Sequence, residues 1–228
     1  MRFGYSLFPF LMVLSVLGPA AHAGSNGREI YPALFGTSEE HSSDTDRFFK
    51  WTSMLERWNA ERRAASAPCA PGEWSDCEPA EWRQAVDRLQ PLDLRGKLAA
   101  VNDLVNRHPY VPSSVNWDNP NYWETPFEFF HKNGQCQDYA ITKFMLLRAA
   151  GVANDQMRIV VLRDTYKNLD HAVVVVYVDG QALMLDNQIK EVVPVDTIAR
   201  YRPYYSINET GWWLHEPNPL NITVASVQ

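Results

Sequence analysis

The sequence predicts an α+β fold, with a helical N-terminal half and an antiparallel sheet following it. Three observations carry this reading. Apolar residues recur at helical spacing from Phe48 to Ala149, β-branched residues crowd the stretches from Arg158 onward, and Asp179-Gly180 separates two of those stretches. Asp-Gly between apolar runs is a two-residue hairpin signal, because a type I′ turn needs positive φ at both central positions.

Residues 1–23 open with Arg2, run apolar from Leu7 to Leu17 apart from Pro9 and Ser15, and end in Ala21-His22-Ala23. This is the pattern of a secretory signal peptide cleaved after Ala23, so the mature chain is expected to be periplasmic or secreted. The apolar run falls short of the roughly 20 residues that span a bilayer, and no later stretch reaches that length, so no membrane span is expected in the mature chain. No cysteine closely follows the run to carry a lipid anchor. Residues 24–43 are polar, with Gly and Ser at their ends, and are expected to be flexible. Residues 44–228 have the length of one domain with its own core.

Within that domain, Phe48, Trp51, Met54 or Leu55, and Trp58 mark a first helix. Pro79 opens a second through Trp82, Val86 and Leu89, and Leu94, Leu98, Val101 and Val105 mark a third that Pro109 ends. A loop is expected from Tyr110 to Asn121. A helix from about Gln137 to Ala149 follows, with Ala140, Phe144 and Leu147 on one face and Gly151 as its stop. Strands are predicted at Arg158–Leu162, His171–Val178 and Gln181–Leu185, with a further short one near Tyr204–Ile207.

The formal charge is −6, with 27 acidic against 21 basic side chains. An acidic chain with no basic stripe argues against a nucleic-acid partner. Cys69 and Cys77 bracket a loop rich in turn formers, and a disulfide between them is expected in an oxidising compartment. Closing so short a loop would stabilise by roughly 2.5 kcal/mol in the chain-entropy model. That leaves Cys136 unpaired. Zinc is a weaker option, since the three cysteines lack Cys-x-x-Cys spacing.

Cys136 follows Gly134 at the start of a helical pattern, where unpaired backbone N–H groups and the helix dipole favour a thiolate. His171 opens one strand of the hairpin and Asp186 ends the other. If Val178 faces Gln181, Asp186 falls opposite Val173 and diagonal to His171 on one face, with Cβ atoms roughly 7–8 Å apart. An imidazole and a carboxylate meet at that distance. Singly, a cysteine is most often a small buried hydrophobe, and a histidine or aspartate a satisfied polar group. Together they have the order and geometry of a nucleophile, its base and an orienting carboxylate, which points to acyl transfer through a thioester.

Three stretches, Asn121-Tyr122-Trp123-Glu124-Thr125-Pro126-Phe127-Glu128-Phe129, Gly134-Gln135-Cys136-Gln137-Asp138-Tyr139-Ala140 and Asp170-His171-Ala172-Val173, resemble the bacterial transglutaminase-like cysteine proteinases, as do Leu185-Asp186-Asn187, Tyr204-Tyr205-Ser206-Ile207-Asn208 and Gly211-Trp212-Trp213. The resemblance implies a papain/transglutaminase-like core, a Cys136, His171 and Asp186 triad, and peptide-bond hydrolysis outside the cytoplasm. It further implies a protein substrate, in the best-understood members a large surface adhesin whose cleavage releases biofilm cells, and an inner-membrane regulatory receptor. Gln135 is a candidate to help bind the oxyanion, and Trp123 a candidate cleft wall.

Members of the adhesin-cleaving type carry acidic residues on both sides of the nucleophile that help bind calcium. Here both flanks are amides, Gln135 and Gln137, and only Asp138 remains as a candidate metal ligand. Calcium favours several anionic oxygens, so weak or absent binding is expected and no cofactor is predicted to be required. The sequence leaves two alternatives to an endopeptidase open: an amide-transfer enzyme using the same triad, and a non-catalytic binding module.

Overall fold

Asp179 and Gly180 both adopt positive φ, 51° and 76°, and the hairpin they close sets the frame of the sheet. The structure, a computed structural model, describes residues 31–65 and 78–218. The leader read at 1–23 and the bridge expected between Cys69 and Cys77 lie outside the described residues. Among those described, the helices are α1 (Phe49–Ala64), α2 (Ala80–Leu89), α3 (Leu94–Asn106), α4 (Ser113–Trp117), α5 (Pro126–Lys132) and α6 (Cys136–Ala149). The strands are β1 (Thr37–Ser42), β2 (Met157–Asp164), β3 (Leu169–Val178), β4 (Gln181–Leu185), β5 (Val193–Pro194), β6 (Tyr201–Asn208) and β7 (Gly211–Pro217). No described helix is long and apolar enough to cross a membrane.

The strands form one sheet in the order β1-β7-β6-β2-β3-β4-β5, with every neighbouring pair antiparallel. In the hairpin Val178 faces Gln181 and Val174 faces Leu185, the predicted register. Along β3, side chains alternate between two cores. Ala172, Val174, Val176 and Val178 join the helices in the main one, while Val173, Val175 and Tyr177 meet Leu34, Val160, Met184 and Tyr201 on the other face. A strand buried on both faces reads as a continuous apolar run, as His171–Val178 does.

Helix α6 lies against β3 and is also packed by α2, α3 and α5. Every side chain from Gln137 to Leu147 is buried, so this stretch has no solvent face. The three-residue stripe seen in the sequence is therefore only part of its contact surface. Among the buried groups is Lys143, which points its amine at the neighbouring helix α3.

Three corrections follow from the structure. Residues 37–42, expected in a flexible segment, form edge strand β1, whose Thr37 to Ser42 pair with Pro217 to Trp212 of β7. Part of the loop expected from Tyr110 to Asn121 is helix α4. Helix α5 was not anticipated, although its start is written in the sequence: Thr125 caps it, Pro126 takes the first turn, and Thr125 and Glu128 form a reciprocal capping box.

Candidate active site

Helix α6 begins at Cys136 because the chain before it is forced into a tight approach. Asn133 has φ 62°, and a Cβ on Gly134 would lie 2.6 Å from the Asp138 Cβ and 2.9 Å from the Glu124 Oε2. Only glycine fits there. Asp138, in the first turn, then accepts a 2.9 Å hydrogen bond from the Gln135 backbone N–H, fixing the helix start. Cys136 is half-buried at that terminus.

Across the helix start lies the histidine that opens the buried part of β3. His171 Nε2 is 2.8 Å from Asp186 Oδ1, and both residues are almost wholly buried. The diagonal pairing expected from the hairpin is therefore made as a direct hydrogen bond. Committing Nε2 to Asp186 leaves Nδ1 for other partners, and Cys136 lies near enough to the ring to favour its charged form. Burial works against a charged imidazole here, but the Asp186 and Cys136 contacts outweigh it and raise His171 to about 9. Asp186 shows the complementary balance. Burial pushes its carboxyl up, yet hydrogen bonds from His171, Tyr201 and the Gln188 backbone hold it below the usual carboxylate range.

Asp186 has more support than the sequence suggested. The Tyr201 hydroxyl donates to Asp186 Oδ2 at 2.6 Å, and the Gln188 N–H donates to Oδ1 at 2.8 Å. The loop carrying Asp186 is hung from α3 by two asparagines. Asn106 Nδ2 donates to the Asp186 carbonyl at 2.9 Å, and Asn102 Nδ2 donates to the Ile189 and Lys190 carbonyls. Asn102 Oδ1 in turn accepts from Lys143 Nζ at 2.8 Å, and burial lowers that amine to about 7. Sequence reasoning missed Tyr201, Gln188, Asn102 and Lys143. A lysine seven positions after Cys136, inside an apolar helix, was the available signal; the others reach the site through folding alone.

The other residues singled out in the sequence fall at the start of α6 and on the chain before it. Trp123 belongs to the core cluster that takes in Cys136, and it lines a cleft of about 280 Å³ with Phe48, Phe49, Trp51 and Tyr205. Gln135 Nε2 is turned to the Pro120 carbonyl at 3.4 Å. Gln137 accepts from the Cys136 thiol at 3.6 Å and donates to the Tyr122 carbonyl at 3.4 Å. Tyr110, half-exposed, lies close enough to Cys136 and Asp138 that their negative charge adds to burial in raising its hydroxyl.

Asp138 is fully buried with both oxygens occupied. Oδ1 accepts from the Glu124 N–H at 2.9 Å, while Oδ2 accepts from the Gln135 N–H and from Gln137 Nε2 at 3.3 Å. Burial, then repulsion from Glu124, raises its carboxyl well above the usual range. Glu124 is likewise raised by burial, to about 7, and its buried Oε2 has no hydrogen-bond partner. Among the described residues, no group of three or more His, Cys, Asp and Glu is arranged to hold a metal ion.

The profile of the bacterial transglutaminase-like cysteine proteinases matches residues 68–216. Among solved structures, calcium-bound LapG of Legionella pneumophila is 29% identical, with a TM-score of 0.54 over 61% of this chain and 80% of that one. A second structure of Legionella pneumophila LapG is 23% identical, with a TM-score of 0.55 over 74% and 91%. Its EGTA-treated form is 24% identical, with a TM-score of 0.54 over 71% and 84%. A search of curated proteins finds no match.

Proposed function

Since the chain belongs to the bacterial transglutaminase-like cysteine proteinases, we propose that it is an exported cysteine endopeptidase working through Cys136, His171 and Asp186. One observation carries the proposal: a buried 2.8 Å contact between His171 Nε2 and Asp186 Oδ1 orients the ring beside a half-buried thiol at a helix N-terminus, whose proximity favours the charged imidazole.

The chemistry follows from that arrangement. His171 takes the Cys136 proton at Nδ1, and the sulfur attacks the peptide carbonyl carbon, moving the carbonyl π electrons onto oxygen. N–H groups at the helix start stabilise this oxyanion, the Cys136 N–H among them. As the intermediate collapses, His171 returns the proton to the departing amine, and a thioester remains on Cys136. Water, deprotonated by His171, then releases the acid and restores the thiol. Throughout, the negative Asp186 offsets the positive imidazolium, and Tyr201 holds Asp186 in place.

Calcium does not suit the residues around this nucleophile. The Pro120 and Tyr122 carbonyls accept amide N–H groups from Gln135 and Gln137, so donors stand where a cation needs oxygens. The reading is of a protease that works without calcium, whereas one structure of the Legionella relative is calcium-bound. An exported, adhesin-like surface protein is the substrate class that the family likeness favours, with the leader at 1–23 as the export signal.

The test is incubation of purified protein with envelope proteins from its own source, and identification of new N-termini by mass spectrometry. Wild type is expected to generate discrete new N-termini that are absent with Cys136→Ala, a loss on the order of 10⁴-fold or more. Equal cleavage by both proteins would refute the role of Cys136.

A further inference from the structure

Gln188 touches both sides of the His171–Asp186 pair. Its backbone N–H binds Asp186 Oδ1, and its side-chain Nε2 lies 3.3 Å from His171 Nδ1. The orientation of that amide is fixed from outside the site. Lys167 Nζ, on the turn between β2 and β3, binds Gln188 Oε1, and an ammonium can only donate, so the oxygen faces Lys167 and the NH₂ faces the ring. An N–H pointing at Nδ1 requires a lone pair there. That is the nitrogen on which the Cys136 proton has to land.

We propose that Gln188, oriented by Lys167, is a positioning residue that restrains proton transfer from Cys136 to His171. The proposal rests on the reading of His171 as the base. A Gln188 N–H seated on Nδ1 favours the neutral ring, with its proton on Nε2 toward Asp186, against the charged form, and so opposes transfer of the thiol proton. Transfer requires the amide to swing away or to rotate its oxygen toward the ring, which Lys167 opposes. Asp186 and Cys136 both favour the charged ring, so the restraint competes with them rather than abolishing transfer. One neutral hydrogen bond corresponds to about a tenfold effect. Lys167 is exposed and its side chain binds Gln188 rather than His171 or Asp186, which separates this restraint from any general loosening of the fold.

The experiment measures iodoacetamide alkylation of Cys136 in the folded protein at neutral pH, together with two-bond ¹H–¹⁵N spectra of His171 identified by comparison with His171→Ala. Gln188→Ala and Lys167→Met are each expected to speed alkylation about tenfold and to move the Nδ1 resonance toward the protonated position. The double variant should do no more than either alone. His171→Ala should slow alkylation. If both restraint variants leave the rate and the Nδ1 resonance unchanged, or slow the reaction, while His171→Ala still slows it, the restraint is wrong and the base assignment stands. If His171→Ala changes nothing, both fall.

Discussion

Tyr201 and His171 grip opposite oxygens of one carboxylate: the tyrosine hydroxyl donates to Asp186 Oδ2 at 2.6 Å, and the imidazole Nε2 meets Oδ1 at 2.8 Å. Tyr201 is itself anchored, since Arg200 Nη2 donates to its hydroxyl at 3.2 Å while Arg200 Nε holds Asp164. The carboxylate is thus oriented from two elements distant in sequence, and it stays ionised although buried.

Tyr201→Phe tests this grip. Losing a donor to a buried carboxylate should cost about 1.5–3 kcal/mol and raise the Asp186 pKa. Because Asp186 is held below its ordinary value, its contribution to stability is present above the unfolded pKa and is lost as pH falls through the folded one. The variant should therefore unfold at a higher pH on acidification, and the acid limb of its activity profile should move the same way. An acid titration followed by circular dichroism that superimposes on wild type would remove Tyr201 from this role.

For Asp186→Asn the sequence alone predicts lost activity with little change in melting temperature, because the shape is kept. The structure alters the second half of that expectation. The introduced carboxamide would either present its NH₂ where the Tyr201 hydroxyl now donates or turn it toward the imidazole, and in both orientations His171 loses its charged acceptor. Turnover should fall on the order of 10²–10⁴-fold, and stability should fall by about 1–3 kcal/mol. Denaturant unfolding with an unchanged midpoint would show that these contacts contribute no net stability.

How far the site was legible in the sequence depends on how local its determinants are. Asp179-Gly180 fixes a hairpin register, and counting along two strands then brings His171 to Asp186. The start of α6 is equally local, written in Gly134 and in Asp138 of the first turn. Tyr201, Asn102 and Lys143 are not legible this way, because each arrives from a different element and shows no periodicity tied to the site. Strand β1 was missed for the same reason. Its Thr-Ser-Glu-Glu-His-Ser is a half-exposed edge sequence, and its partner, residues 212–217, lies near the other end of the chain. Trp123 and Gln135 were picked out for chemistry, and their present contacts are with a cleft and a loop carbonyl.

Glu124→Gln should stabilise the protein, and only at higher pH. Burial raises this carboxyl from 4.5 to about 7, so the native state binds its proton more tightly than the unfolded state does. The contribution of this carboxyl to stability is then fully present below pH 4.5 and is lost as pH rises through 7, the reverse of an ordinary paired carboxylate such as Asp186. Glutamine removes the charge, keeps an oxygen for Asn116 and Trp117, and offers its NH₂ toward Asp138. At pH 8 the gain should be about 1–3 kcal/mol, shrinking toward zero in melts run near pH 4.5. A variant less stable than wild type at pH 8 would show that Glu124 is ionised and held by a partner outside this account.

Chelation should leave the protein and its activity intact. A calcium site on this helix start would need oxygens from positions 135 and 137, and both present amides whose nitrogens already donate to the Pro120 and Tyr122 carbonyls. Asp138 has both oxygens filled by N–H groups, so a cation would have to displace three hydrogen bonds for one carboxylate. The measurement is thermal melting and cleavage of an identified substrate in excess EGTA and in excess calcium, with calorimetric titration of the chelated protein. Melting temperatures within about a degree and equal rates are expected. Loss of cleavage in EGTA, or calcium binding at micromolar concentration or tighter, would mean that Gln135 and Gln137 turn their carbonyl oxygens inward and that the hydrogen bonds seen here are not the working arrangement.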